Sequence, residues 1–83
     1  MDAKELKYPA VAKEKKIEGR VILQFIVNKE GKVTNVKVVR GVDPLLDAEA
    51  VRAIYSSPLW KPGYQNNTAV NVRYTFPVIF MLK

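Results

Sequence analysis

Few side chains in this sequence are equipped for covalent or acid-base chemistry. Asp43 and Asp47 stand four residues apart, the spacing that brings two carboxylates to one helical face, where such a pair can divide acid and base roles. Asp43 is followed by Pro44, however, a pairing that marks a helix N-cap and first turn, so both carboxylates read as capping and dipole complementation. Ser56, Ser57, Thr68 and Thr75 are candidate nucleophiles, but the 83 residues include no histidine to activate them. Cysteine is absent as well, which removes disulfides, thiolates and, with histidine, the usual zinc and copper ligands. Neither an enzyme nor a cofactor is expected.

What remains is recognition. A net charge of +6 and a pI near 9.7 favour acidic partners without choosing among them. No apolar run approaches the roughly 18 residues that cross a bilayer, and no segment resembles a signal peptide; if the protein is anchored or exported, the part responsible lies outside these residues. The size fits one small domain, with residues 1–7 expected as a linker end or tail and 8–83 as the folded unit.

The best-patterned segment is the last. Over residues 70–82, Val70, Val72, Tyr74, Phe76, Val78, Phe80 and Leu82 alternate with Asn71, Arg73, Thr75, Pro77, Ile79 and Met81. Period-two alternation of that length predicts a long strand with one buried face. Pro77 has no N–H to give a neighbour, which places this strand at a sheet edge. An open edge is either a hazard or a binding site.

The elements that must position this edge follow from pattern and punctuation. Tyr8 and Pro9 introduce a short helix over 10–16, with Lys13, Lys15 and Lys16 near its C-terminal end. After Gly19, Val21, Leu23, Phe25 and Val27 form the core face of a first strand. Asn28 to Gly31 read as a type I turn plus bulge leading into a second strand over 32–40, with Val36 and Val38 on one face and Val33 and Val39 on the other. Leu46, Ala50, Ala53 and Ile54 share one face of a second helix, which Pro58 stops. A turn-rich loop through Pro62, Gly63, Asn66 and Asn67 then leads to the final strand.

This order predicts a two-layer α+β domain: a three-stranded antiparallel sheet in the order 2-1-3 with two helices on one face. The last strand is at an edge, as Pro77 requires. Backbone groups of alternate residues point to opposite neighbours, so if Pro77 faces outward, Arg73, Thr75 and Ile79 face outward too. A bulge before Pro77 would break that parity.

In their order and spacing, these residues resemble the C-terminal domain of the TonB family, periplasmic energy transducers of Gram-negative bacteria. The resemblance runs from Tyr8 to Leu82. It rests on Tyr8-Pro9, Ile17-Glu18-Gly19 with Val21, Asn28 to Val33 around Gly31, Leu46-Asp47 with Glu49-Ala50, the P-x-W-x-P-G series of Pro58, Trp60, Pro62 and Gly63, and then Val72, Tyr74, Pro77 and Phe80. It implies a periplasmic domain carried on an inner-membrane-anchored protein that works with ExbB and ExbD. It also implies recruitment of the TonB box of outer-membrane TonB-dependent receptors as a strand added to the last strand. The implied peptide-binding residues are Asn71, Arg73, Thr75, Pro77 and Ile79, with Tyr8, Pro9, Asn66 and Asn67 as candidate receptor contacts. Where the best-known members carry a Gln-Pro pair shortly before Tyr-Pro, this chain has Glu5-Leu6.

Competing readings are weaker. A nucleic-acid surface needs exposed aromatics, whereas Phe25, Tyr74, Phe76 and Phe80 all fall in buried registers, so no nucleic-acid partner is expected. Trp60, between two prolines, reads as a core anchor before a ligand platform. The same edge could pair with a second copy to give a homodimer. The alternative function is an interaction module in a TonB-like signalling or antirepressor protein.

Overall fold

The computed structural model describes residues 6–56 and 60–82; the expected helix stop at Pro58 lies outside them. The chain runs α1 (Ala10–Glu14), β1 (Gly19–Val27), β2 (Val33–Arg40), α2 (Pro44–Ser56), β3 (Gly63–Gln65), β4 (Thr68–Val70) and β5 (Val72–Phe80). β2, β1 and β5 form an antiparallel sheet in that order, which is the predicted topology, and the helices cover one face. The core is the odd-numbered face of β1, Val21, Leu23, Phe25 and Val27, packed with Ala12, Leu46, Ala50, Ile54, Val78 and Phe80.

α1 is shorter than the charge pattern suggests. It ends at Glu14 because Lys16 adopts a left-handed conformation (φ 56°), which lets Lys16 N–H reach Lys13 C=O and Ile17 N–H reach Ala12 C=O. That pair of bonds is a Schellman closure, and it turns Ile17 back onto the core. Asp43 caps α2 by accepting Leu45 N–H at 2.9 Å, and Asp47 accepts Val42 N–H at 3.0 Å. Both carboxylates thus serve backbone amides at a helix start.

The turn between β1 and β2 follows the prediction: Gly31 N–H bonds Asn28 C=O, and Gly31 takes φ 83°, a conformation that suits glycine. β2 itself does not alternate simply. Its pairing with β1 slips between Ile22 and Leu23 and again between Gln24 and Ile26, so two bulges interrupt it. Asn35, at φ 54°, lies in the second. The slip reassigns the valines: Val33 pairs with Val27 and Val38 with Leu23, both on the helix side, and Val36 packs on the core beside Val33. Strict alternation placed Val33 and Val36 on opposite faces, and the bulged residue is the physical reason that expectation fails.

The segment before the last strand is also corrected. It is not a plain loop but contains a hairpin, in which Gly63–Gln65 pairs with Thr68–Val70. Asn66 and Asn67 both have positive φ, 52° and 64°, as a type I′ turn requires. The final strand therefore begins at Val72 instead of Val70, and it ends at Phe80 instead of Leu82.

Candidate functional site

β5 is held by a nine-pair register with β1, from Val72 opposite Val27 to Phe80 opposite Gly19, with no slip. Ile22 is opposite Pro77. Since proline has no N–H, that pair cannot be one of the doubly bonded pairs of an antiparallel ladder. The doubly bonded pairs are then those of Val72, Tyr74, Phe76, Val78 and Phe80. It follows that Arg73, Thr75 and Ile79 turn their N–H and C=O groups away from β1, while Pro77 offers only its C=O.

The two edges of the sheet differ in consequence. β2 carries two bulges, a device that spoils an edge as a pairing template. β5 is regular over its whole length, with one interruption at Pro77. Arg73, Thr75, Pro77 and Ile79 are all exposed, Ile79 to 54%, on the sheet face opposite the helices. Asn71, the fifth residue of the predicted edge, lies just before β5, and its Oδ1 accepts Lys29 N–H at 3.1 Å. That bond ties the start of β5 to the β1–β2 turn.

Aromatic packing fixes the strand behind this edge. Phe25, 1% exposed, lies 5.2 Å from Trp60 and 5.9 Å from Tyr74 between ring centroids, and Trp60 contacts Tyr74 at 5.5 Å and Phe76 at 5.9 Å. Trp60 also donates its backbone N–H to Gly31 C=O at 2.9 Å. It is the predicted anchor, half-buried on the core, and among the described residues its Nε1 has no acceptor.

The other candidate contacts are scattered. Tyr8 packs edge-to-face on Phe80 at 5.4 Å and donates its hydroxyl to Ile17 C=O. Its burial, together with the Glu18 carboxylate, raises the phenol pKa above the ordinary value. Pro9 is the N-cap of α1, and its C=O accepts Lys13 N–H at 2.9 Å. Asn66 and Asn67 are exposed at the tip of the β3–β4 hairpin. Sequence reasoning missed that hairpin: the two asparagines mark its turn, but the three-residue strands on either side show no period.

Glu49 locks the N-terminal segment to α2. Its carboxylate takes Arg52 in a two-pronged pair, with both contacts at 2.7 Å, and accepts Lys7 N–H at 2.6 Å. The Arg52 hydrogen bond holds its pKa below the usual glutamate range, against an opposing effect of burial. Because the folded pKa is the lower one, the unfolded chain binds more protons in acid. Glu49's contribution to stability is then complete above the unfolded value of about 4.3 and lost as the pH falls through the folded value. Glu49→Gln should therefore lower the urea midpoint at neutral pH, and the gap from the parent should narrow progressively below about pH 4. A gap independent of pH would contradict this assignment.

Together these features define a two-layer α+β domain with one spoiled edge and one regular edge that is unpaired among the described residues. Residues 4–82 match the Gram-negative bacterial TonB protein C-terminal family, and the chain belongs to that family. Two curated relatives, the TonB proteins of Helicobacter pylori strains ATCC 700392 / 26695 and J99 / ATCC 700824, are 31% and 38% identical over 78 residues, covering 93% of this chain. The chain spans 26% of the length of each. Two solution structures of the Helicobacter pylori TonB C-terminal domain are similar in fold. One has a TM-score of 0.77 at 28% identity, covering 98% of this chain and 73% of that one; the other has 0.76 at 31%, covering 98% and 85%.

Proposed function

We propose that this chain is the receptor-binding C-terminal domain of a TonB-type energy transducer. It takes the TonB box of an outer-membrane TonB-dependent receptor as a strand added to β5. Force from an inner-membrane complex with ExbB and ExbD, driven by the proton-motive force, then reaches the receptor through that pairing and supports active uptake. The domain works in the periplasm on a protein anchored in the inner membrane through regions outside these residues.

The observation that carries this reading is the contrast between the regular edge of β5 and the twice-bulged edge of β2. Arg73 and Thr75 each offer a free N–H and C=O, and each hydrogen bond contributes a net of about 0.5–1.5 kcal/mol. Ordering the peptide offsets part of that gain, so affinity is modest for the isolated domain. A low-affinity, backbone-directed grip suits a transducer that must engage several receptors and release them. Isothermal titration with a receptor TonB-box peptide should give saturable one-to-one binding that a proline-scrambled peptide lacks. Equal heats from both peptides, or none at millimolar concentration, would refute the proposal.

A further inference from the structure

The three strands of the main sheet contain no aspartate or glutamate, yet they carry Arg20, Lys37, Arg40 and Arg73. The register gathers all four on the face away from the helices. Arg40 lies opposite Ile22, Lys37 opposite Gln24, and Arg73 opposite Ile26, while Arg20 shares the even-numbered face of β1. All four are exposed, and among the described residues none makes an ion pair. The acids of the helical layer, Glu14, Asp47 and Glu49, are on the other side of the sheet.

This face is not flat. Arg20 and Arg40 flank Ile22 in one shallow cleft, and Lys37 and Arg73 flank Gln24, Ile26 and Asn35 in another. We infer that the open sheet face is a docking surface for an acidic protein segment, whose carboxylates meet the cations that wall the two clefts while its apolar atoms rest on Ile22 and Ile26 within them. Two separated clefts, each walled by two cations, suit carboxylates entering singly, and the guanidinium fork matches them with paired hydrogen bonds. A membrane headgroup layer would meet the same charges as a plane without filling the clefts. This surface is distinct from backbone pairing at β5, although Arg73 borders both.

The test uses the chain itself with a hexaglutamate peptide as probe, followed by amide chemical shifts. Shifts should concentrate at Arg20, Ile22, Lys37 and Arg40. The double variant Arg20→Glu/Arg40→Glu should lose affinity by about tenfold or more, the equivalent of one charge-assisted hydrogen bond. Lys13→Glu/Lys16→Glu, with the same net charge but altered at the C-terminal end of α1 and in the turn after it, should change it little. Equal loss in both variants would overturn the inference in favour of diffuse charge. Binding to phosphatidylglycerol vesicles but not to the peptide would overturn it in favour of a membrane. Thr75→Pro should leave hexaglutamate binding intact while weakening TonB-box binding, which separates failure of this inference from failure of the β5 reading.

Discussion

Phe25→Ala should destabilise the domain by about 3–5 kcal/mol, as expected when a buried phenylalanine is truncated. Phe25 is 1% exposed at the centre of the sheet and contacts both Trp60 and Tyr74. Its loss removes buried apolar area and two ring contacts, each worth about 0.5–1.5 kcal/mol beyond that area. The cavity opens between β1, β5 and the segment carrying Trp60, so relaxation requires moving a strand. A domain of this size has a total stability of about 4–12 kcal/mol, and the variant should be largely unfolded near the low end of that range. Urea denaturation followed by tryptophan fluorescence reads the change directly. Tyr64→Ala, at a residue 69% exposed, provides the comparison and should shift stability by no more than about 0.5 kcal/mol. Similar losses in the two variants would show that the aromatic cluster does not hold β5 in place.

The second large effect is one of parity. Thr75→Pro should leave the fold intact and cut peptide affinity about tenfold or more, because it deletes an outward N–H and puts a ring in the path of an added strand. Phe76→Pro, one residue along, should instead unfold the domain, since its N–H belongs to the ladder with Leu23. Two prolines at adjacent positions then have opposite consequences. Circular dichroism gives the first readout and peptide titration the second. If Thr75→Pro unfolds the domain, or Phe76→Pro folds and binds normally, the assignment of inward and outward groups is reversed.

Much of this was legible in the residues. The odd-numbered core face of β1, the Gly31 turn and the sheet order follow from alternation, a turn signature and a proline that only an edge tolerates. The outward set of Arg73, Thr75 and Ile79 followed from Pro77 alone, on the condition that no bulge intervened, and none does. The bulges of β2 were not legible. A bulge is an extra residue that leaves the local composition unchanged, and Asn35 in a left-handed conformation carries no neighbouring glycine to announce it. The β3–β4 hairpin was hidden for a different reason: its strands have three residues each, too few for a period to register. Parity places Asn71 in line with the edge residues, and the sequence gives no sign that its side chain also holds the distant Lys29 amide.

The most direct measurement is amide hydrogen exchange along β5 with and without a TonB-box peptide. In the free domain, Tyr74, Phe76 and Val78 should already be protected, while Arg73, Thr75 and Ile79 exchange quickly. Saturation with peptide should slow Arg73 and Thr75 and leave the even-numbered amides unchanged, with Ile79, beyond the proline gap, affected least. Protection appearing along β2, or falling equally on odd and even residues of β5, would contradict strand addition at this edge.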